Sequence, residues 1–438
     1  MRVYKPSGIE WLGEIPQSWE IKKCKFFFTI QNTIVGDLWN KTKLLSLTLN
    51  GVVERDINNP EGKFPSDFST YQLVKRGNLV FCLFDVEETP RAIGLSQIDG
   101  MITSAYTVIK VVNQNERFLA YLFISLDNGK NLSFLYRGLR KTISKEDLLN
   151  LKIPLPPLQE QKEIAEFLDS KCEKIQNYID KKQKLITLLQ EKKQALINEA
   201  VCGRVACHTE RSEVSTTAYK PSGIEYLGLI PHHWEAVKVK FTAYVKGRIG
   251  FHGLNSNEFR YDEGAYLVTG NDFDNNEVMW DKCRRVSEER FYEDPNIHLQ
   301  NNDLLITKDG TIGKTAIVNN CPKQATLNSG IFLVRTLKEM CFVKYLFFII
   351  NSQYFKEFVN VKTSGSTIKH LYQSDFHDLK IPLPPLQEQK EIAAFLDSKV
   401  AQIDSAIEKT KKQIELIKEY KNTLINEAVC GRINLKRK

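Results

Sequence analysis

The sequence lacks several features that mark broad classes of protein. Its longest apolar run, Tyr345–Ile350, falls well short of the roughly 20 residues that a helix needs to cross a bilayer, and the N-terminus has no apolar core of the signal-peptide kind. Its nine cysteines are odd in number and none forms a CxxC pair, which favours reduced thiols over a disulfide framework or a zinc site. We therefore expect a cytoplasmic protein with no bound metal.

Catalytic motifs are also scarce. The stretch GTIGKT at 310–315 resembles the end of a phosphate-binding P-loop, but the first glycine of that motif would fall at Lys308. ExK triplets begin at Glu160 and Glu388 and loosely resemble a metal-dependent nuclease pattern, which needs its triplet on a strand. Each triplet here follows two prolines, where a helix is expected to start. The sequence therefore predicts no catalytic residues.

What the sequence does have is a long duplicated stretch, Leu151–Arg204 and Leu379–Arg432. Both copies open with LKIPLPPLQEQKEIA and close with LINEAVCGR. Between these ends, apolar residues alternate by fours and threes, as in the seam of a coiled coil. About forty residues at 1.5 Å each predict a rod about 60 Å long. A helix with so narrow an apolar seam needs a second helix to pack against, and the other copy is the nearest candidate. The alternative is that each helix pairs with a helix of another chain.

A second duplication precedes each half of the chain. Tyr4–Glu20 (YKPSGIEWLGEIPQSWE) returns as Tyr219–Glu235 (YKPSGIEYLGLIPHHWE), identical at 13 of 17 positions. We call these the entry segments and expect their aromatic residues to anchor them on a core. Between the duplicated parts lie segments that differ, Ile21–Asn150 and Ala236–Asp378. Two copies of one architecture with divergent interiors predict two heads that perform the same task on different targets.

Both heads read as short strands separated by turns. Examples are Leu79–Phe84 and Tyr106–Val112 in the first head, and each head ends in a more helical run, Phe118–Asp127 or Val343–Phe358. These patterns predict α+β domains of mostly antiparallel strands. The expected divisions are residues 1–150 (first head), 151–205 (first long helix), 206–218 (polar linker), 219–378 (second head) and 379–438 (second long helix).

The candidate binding residues lie in polar loops of the two heads. Arginine and lysine can contact phosphates or the guanine edge, while serine, threonine and nearby backbone groups can position a DNA strand. The net charge of +8 is only mildly basic, so any basic surface must be local. The candidates are Arg91, Ser104, Tyr106, Arg137, Arg140 and Lys141 in the first head, and Lys308, Asp309, Thr311, Lys314, Ser364, Ser366, Thr367, Lys369 and His370 in the second.

The whole pattern resembles one known family, the specificity subunit of type I restriction-modification systems. The resemblance rests on PLPPLQEQKEIAxFLD at Pro154 and Pro382, on SGIEWLGEIPQSWE and SGIEYLGLIPHHWE in the entry segments, and on SGSTIKHL before the second long helix. The first head departs from this pattern, because SGSTIK has no clear twin there and only RGLRKTIS is found, at 137–144. The resemblance covers nearly the whole chain.

This resemblance implies an architecture and a set of partners. The heads would be target-recognition domains, each reading half of a split asymmetric site in double-stranded DNA. The long helices would pack as an antiparallel coiled coil between them, in an internal pseudo-twofold repeat. The implied partners are two modification subunits, which bind S-adenosylmethionine and methylate adenine, and restriction subunits, which use ATP to translocate and cut. The specificity subunit itself would be non-catalytic and would need no cofactor.

Two other classes of function remain open from the sequence. One is a DNA reader fused to its own nuclease or methyltransferase activity, and the other is a coiled-coil scaffold that does not bind DNA. An enzyme would turn over DNA when supplied with metal or methyl donor. A reader would only shift DNA in a gel, and a scaffold would do neither.

The bracketing of each variable segment by constant sequence generates a testable prediction. Replacing Ile21–Asn150 with the same segment of another family member is expected to change one half of the recognised site and leave the other half unchanged. Sequencing of the methylated motif measures both halves. A change in both halves would show that the heads do not read independently.

Overall fold

The computed structural model describes residues 2–56, 67–205, 218–224, 227–248, 254, 256–363 and 369–435. The chain divides into two compact units. Unit 1 comprises Met1–Gln183 and Lys411–Lys438, and unit 2 comprises Lys184–Thr410. No described helix combines the length and the apolar character needed to cross a membrane.

Unit 1 contains the first head, built from short antiparallel strands. The strands are β1 (Tyr4–Pro6), β2 (Glu14–Pro16), β3 (Glu20–Lys23), β4 (Phe28–Gln31), β5 (Leu45–Thr48), β6 (Gly51–Glu54), β7 (Gln72–Val74), β8 (Leu79–Phe81), β9 (Ile93–Leu95), β10 (Gly100–Ile102), β11 (Thr107–Val111) and β12 (Lys152–Leu155). The central sheet has the order β4-β11-β8-β9. Strand β3 pairs with β12, which leads directly into the first long helix. The strand pairing thus joins the entry of the head to its exit.

Unit 2 contains the second head and repeats this plan with a larger sheet. Its strands are β13 (Tyr219–Pro221), β14 (Leu229–Pro231), β15 (Glu235–Lys238), β16 (Ala243–Gly247), β17 (Ala265–Val268), β18 (Phe273–Asp274), β19 (Glu277–Val278), β20 (Arg284–Val286), β21 (Leu304–Thr307), β22 (Thr315–Ile317), β23 (Ala325–Leu327), β24 (Ile331–Thr336) and β25 (Lys380–Leu383). The main sheet runs β16-β24-β21-β22-β19-β18, beside a three-stranded sheet β20-β17-β23. Only the pairs β17–β23 and β19–β22 are parallel among the described strand pairs. The predicted mostly antiparallel α+β class is confirmed.

The predicted helices are present with one difference, and the heads also contain short helices that the sequence patterns did not predict. They are α1 (Glu116–Asn128), α2 (Lys145–Asn150), α3 (Leu158–Val201), α4 (Glu288–Tyr292), α5 (Val343–Ile350), α6 (Gln353–Thr363), α7 (Gln373–Asp378) and α8 (Leu386–Val429). The run predicted from Val343 to Phe358 is two helices, because the Asn351 amide donates to Phe347 O at 2.8 Å and the Ser352 hydroxyl donates to Ile349 O at 2.6 Å. Such side-chain bonds compete with the helical backbone and favour a break.

The two long helices, α3 and α8, pair with each other inside the chain. In unit 1 the beginning of α3 shares a core with the end of α8, through residues such as Leu168, Ile175 and Leu424. In unit 2 the end of α3 lies against the first part of α8, and Lys193 Nζ contacts both carboxylate oxygens of Asp404 at 2.8 and 2.7 Å. The helices are therefore antiparallel, and the predicted seam is confirmed by its burial. Lys193, which interrupts the apolar seam, has a partner on the facing helix.

A buried glutamine fixes the start of α3 to the first head. Gln161 is 0% exposed, and its Nε2 donates to Pro156 O at 2.8 Å and to Gln114 Oε1 at 2.7 Å. Its Oε1 accepts a hydrogen bond from the backbone N–H of Asn115 at 3.0 Å. Asn115 is the N-cap of α1, so one side chain joins the long helix to the first helix of the head.

The second head has the same connection at Gln389, which is also 0% exposed. Its Nε2 donates to Pro384 O at 2.9 Å and Met340 O at 3.0 Å, and its Oε1 accepts from the Phe342 N–H at 2.8 Å. Phe342 is the N-cap of α5. The second glutamine of the duplicated LQEQ motif is therefore a structural joint in both halves.

The entry segments pack where the long helices end. Gly431 has a φ of +75° at the end of α8, and a Cβ there would lie 2.6 Å from Pro16. Gly203 has a φ of +69° after α3, and its Cβ would lie 2.4 Å from Pro231. Because only glycine combines this conformation with no side chain, the chain can turn tightly against the proline. The entry segments are packing elements, as the sequence predicted, with Trp19 and Trp234 both fully buried.

The buried glutamine generates a prediction with a close control. Gln161→Ala leaves the buried Asn115 N–H without its acceptor, and we expect the free energy of unfolding of unit 1 to fall by about 2–3 kcal/mol. Gln159→Ala removes a neighbouring exposed side chain, bonded to Glu163 at 3.2 Å, and is expected to cost less than about 0.5 kcal/mol. Urea denaturation measures both. Equal losses of unfolding free energy in the two variants would show that Gln161 does not hold α3 to the first head.

Candidate nucleic-acid interface

In each head, the loop that follows the central strand is bonded to the segment that precedes the last short helix. In the first head this strand is β8. Beyond it, Leu83 O accepts a hydrogen bond from Ile143 N at 2.8 Å, and Asp85 N donates to Arg140 O at 2.8 Å. We call these two bonded segments, 82–92 and 137–143, the clasp of the first head. It brings together polar side chains that are about 55 residues apart in sequence.

The second head forms the corresponding clasp from residues 308–314 and 369–371. After β21, Lys308 O accepts from Leu371 N at 2.9 Å, and Asp309 pairs with His370 in an isolated antiparallel bridge. The His370 Nδ1 also bonds to the Asp309 carboxylate. A backbone hydrogen bond between the same two segments therefore recurs in two heads whose loop sequences differ.

The one backbone hydrogen bond that the two clasps share, Ile143 N to Leu83 O and Leu371 N to Lys308 O, also aligns them. Ile143 takes the place of Leu371, so that, counting back two residues, Lys141 corresponds to Lys369. The segment RGLRKTIS is therefore the positional counterpart of the run that ends in KHL. The sequence carries the same signal, because Lys141 lies ten residues before Leu151 and Lys369 lies ten residues before Leu379, at the start of each duplicated stretch.

The side chains of the first clasp form an aromatic and charged cluster. Arg140 donates from Nε and Nη2 to the two carboxylate oxygens of Asp85 at 3.1 and 2.5 Å, and its guanidinium lies 5.4 Å from the centre of the Phe84 ring. Tyr106 stacks on Phe84 with ring centres 6.0 Å apart. The bonds from Arg140 lower the pKa of the Asp85 carboxyl, so the pair stays charged near neutral pH. Arg140 is still 69% exposed, so it is accessible to a ligand.

Other candidates of the first head are held to different degrees. Arg137 bonds to Asp147 at 2.8 Å yet is 72% exposed, and Lys141 lies 3.6 Å from Glu87. Arg91 bonds to Asn128 at 2.8 Å and is only 17% exposed, which makes it a support of the loop more than a free cation. Ser104 is exposed, and its hydroxyl donates to Thr70 O, just before β7.

In the second clasp, a single hydroxyl shapes the loop. The Thr307 hydroxyl donates to Thr311 O, and the Lys314 N–H donates to the same hydroxyl at 3.0 Å. Gly310 and Gly313 have φ of +64° and +86°, which allows the loop to turn twice. The loop is therefore closed upon Thr307 and presents its outer side to solvent.

The lysines of this clasp have different surroundings. Lys308 Nζ lies 5.2 Å from the centre of the Phe332 ring, and burial lowers the pKa of its ammonium group. Lys314 donates to Gly270 O at 2.8 Å and is exposed. Lys369 is exposed beside the bridge. A phosphate placed beside Lys308 would favour the charged form of this lysine. The other two lysines, Lys314 and Lys369, belong to the same clasp.

Three candidates of the second head, Ser364, Ser366 and Thr367, lie outside the described residues. Of the remaining six, Lys308, Asp309, Thr311, Lys314, Lys369 and His370, all belong to the clasp or its loop. Phe84 and Asp85 of the first clasp were missed as individual residues, since an acidic group and a phenyl ring are not obvious signals of DNA binding.

The ExK triplets open helices, as expected from the prolines before them. Glu160 bonds to Arg2, and Glu388 accepts a hydrogen bond from the indole N–H of Trp234 at 3.1 Å and bonds to His233 at 2.8 Å. Both glutamates therefore connect the start of a long helix to residues of an entry segment or its neighbour. Their contacts are structural.

Comparison with known proteins gives a family match over both halves of the chain. The model of the type I restriction modification DNA specificity domain matches residues 101–189 and 253–416. One relative, the type I restriction enzyme MjaVIII specificity subunit of Methanocaldococcus jannaschii, is 27% identical over 77% of this chain and 75% of its own length.

Two solved structures share the fold. A chain from a structure that describes complex assembly and conformational transition of the type I R-M system superposes with a TM-score of 0.69 at 16% identity, over 96% of this chain and 99% of the other. The HsdS subunit from Thermoanaerobacter tengcongensis superposes with a TM-score of 0.53 at 17% identity, over 96% and 98% of the two chains. The duplicated architecture is therefore that of known proteins along nearly its full length.

Proposed function

Since this chain belongs to the type I restriction-modification DNA specificity family, we propose that each of its heads reads one half of a split asymmetric site in double-stranded DNA. The chain is a specificity subunit with two DNA-recognition domains and is not itself an enzyme. We propose that it directs partner subunits to the site, where adenine is methylated or the DNA is restricted.

The observation that carries the proposal is the recurrence of one clasp with different side chains. A constant backbone arrangement places a loop at the end of each central sheet, and its side chains can change without changing the fold. The first clasp offers Arg140 and Phe84, on which Tyr106 stacks, while the second offers Lys308, Lys369 and the Asp309–His370 pair. Arginine and lysine can donate to guanine, and aspartate can accept from cytosine. Different halves of a site can thus be read by one architecture.

The proposed recognition domains are residues 1–150 and 219–378. The long helices, in residues 151–205 and 379–438, serve as the spacer between them. The proposed linker is 206–218, of which residues 206–217 lie outside the described residues. Each compact unit also includes the beginning of one long helix and the end of the other, so the proposed recognition domains are smaller than the compact units.

The proposed partners are double-stranded DNA, two modification subunits and the restriction subunits. The similar solved chain comes from a structure of complex assembly in the type I R-M system, which supports partners of this kind. We propose that the complex acts in the cytoplasm and that this chain contributes no cofactor. The two alternatives, a reader fused to its own nuclease or methyltransferase and a scaffold that does not bind DNA, have no support in the comparisons.

The second clasp provides a direct test of DNA binding. We expect the combined change Lys308→Ala, Lys314→Ala and Lys369→Ala to weaken binding and to reduce the slope of log affinity against log salt concentration by about one for each lysine that contacts a phosphate. The loss follows because fewer counterions are released on binding. Gel shifts with a duplex that contains the methylated motif, across a range of salt concentrations, give the slope.

A control for this test is Lys338→Ala, which removes an exposed lysine just beyond the other end of β24 in the same unit. Its salt slope is expected to match that of the unchanged chain. If the triple variant also kept the original slope, the second clasp would not be part of the DNA interface.

A further inference from the structure

One pair of side chains closes each clasp, and the same two residues are also joined through their backbone. In the first clasp, Asp85 N donates to Arg140 O at 2.8 Å, and Arg140 Nε and Nη2 donate to the two oxygens of the Asp85 carboxylate at 3.1 and 2.5 Å. In the second clasp, Asp309 and His370 form an isolated antiparallel bridge, and His370 Nδ1 bonds to the Asp309 carboxylate. Each pair thus joins a carboxylate of the loop to a nitrogen-bearing side chain of the facing segment.

The stability of the clasp does not explain these side-chain pairs. The side chains of Asp85 and Arg140 are 34% and 69% exposed, and those of Asp309 and His370 are 45% and 31% exposed. Ion pairs with this much exposure contribute little to stability, because water screens them and both side chains lose freedom. The backbone already joins the two segments of each clasp. What the side-chain pairs do is fix the orientation of Arg140 and His370.

In the first clasp, the carboxylate leaves one edge of the guanidinium for a ligand. Asp85 accepts one hydrogen bond from Nε of Arg140 and one from Nη2. Among the described residues, none accepts a hydrogen bond from Nη1. The edge formed by Nη1 and Nη2 therefore keeps a parallel N–H group on each nitrogen. Such a fork fits the O6 and N7 acceptors of guanine in the major groove.

In the second clasp, the carboxylate fixes which ring nitrogen carries a proton. An ionised carboxylate only accepts hydrogen bonds, so the contact with Asp309 places a proton on Nδ1 of His370. In the neutral ring Nε2 is then an acceptor, and no residue of the described ranges donates to it. An acceptor in the major groove binds an amino group, N6 of adenine or N4 of cytosine. The two clasps therefore present opposite hydrogen-bonding character.

An aromatic ring beside each of these side chains limits its motion further. The Arg140 guanidinium lies 5.4 Å from the centre of the Phe84 ring. The rings of His370 and Tyr372 have their centres 4.7 Å apart, at an angle of 66°. A side chain that is held by a carboxylate and a ring loses less freedom when it binds a ligand. Arg140 and His370 are therefore oriented before DNA arrives.

We propose that Asp85 and Asp309 are positioning residues, each of which orients one base-reading group. Arg140 reads a guanine in the half-site of the first head through its Nη1–Nη2 edge. His370 accepts a hydrogen bond from an adenine or cytosine amino group in the half-site of the second head through Nε2. This inference rests on the proposed function, and it adds which side chain distinguishes bases in each head and with which hydrogen-bonding character.

Base analogues test the proposal without changing the protein. The full-length chain, with the modification subunits of the same organism, is titrated onto a duplex with the methylated motif at about pH 8, above the usual pKa of histidine. Each guanine of the first half-site is replaced in turn by 7-deazaguanine, which lacks N7, and at one position affinity is expected to fall by about 5- to 10-fold. In the second half-site, removal of one amino group, by purine for adenine or 2-pyrimidinone for cytosine, is expected to cost about as much.

Variants connect these losses to the two readers and their carboxylates. Arg140→Ala is expected to bind the sensitive 7-deazaguanine duplex as well as it binds the unmodified one, and His370→Phe should no longer respond to the missing amino group. Asp85→Asn keeps the arginine but removes the charged acceptor, so the preference for guanine at that position should fall by about 3-fold or more. The matched control is Glu87→Gln, which changes another carboxylate of the same loop, 3.6 Å from Lys141, and should keep the preference.

The outcomes separate this proposal from the function on which it rests. If no guanine of the first half-site were sensitive to 7-deazaguanine, or if Arg140→Ala kept the full sensitivity, Arg140 would not be the reader. An unchanged response of His370→Phe to the missing amino group would exclude His370 in the same way. Equal effects of Asp85→Asn and Glu87→Gln would show that Asp85 acts through net charge and does not position Arg140. Only a failure of the unchanged complex to bind the unmodified duplex would contradict the proposed function itself.

Discussion

The architecture depends on a fully buried amide side chain at the beginning of each long helix. Gln161 and Gln389 each make three hydrogen bonds, which join the proline-rich turn and the start of the long helix to the segment that begins α1 or α5. A buried amide is costly unless its donors and acceptors are all paired, so this geometry tolerates little displacement. It sets the direction in which each helix leaves its head, and the seam between the helices can form only if that direction is kept.

This rigid joint explains how the interiors can differ so widely. Strand pairs β3–β12 and β15–β25 join entry to exit in the two heads, and the constant sequences surround them. The joint itself reaches into both interiors, at Asn115 and Phe342, but it does so through their backbone N–H groups, which remain when the side chain changes. The second head has a six-stranded main sheet where the first has four strands, yet both present a clasp after the central strand. Stability and recognition therefore reside in different parts of each head.

The features predictable from sequence are those with local or periodic signals. The long helices follow from the spacing of apolar residues, and strands such as β8 and β24 from short β-branched and aromatic runs. The clasps could not be predicted, because Leu83 and Ile143 are 60 residues apart and no local pattern connects them. The correspondence of Lys141 with Lys369 has a weak signal, since both lie ten residues before a duplicated stretch but the sequences around them differ. Gln161 looked like an ordinary polar residue of a first helical turn, since its burial depends on contacts with Asn115 in another element.

The contact between Gly431 and Pro16 has a consequence for the order in which the molecule is made. Unit 2 is a single continuous segment, Lys184–Thr410, whereas unit 1 needs Lys411–Lys438 to complete its core. Leu424, Ile425 and Val429 belong to that core. During synthesis from the N-terminus, the first head must therefore wait for the last part of the chain, and the second head can close before it.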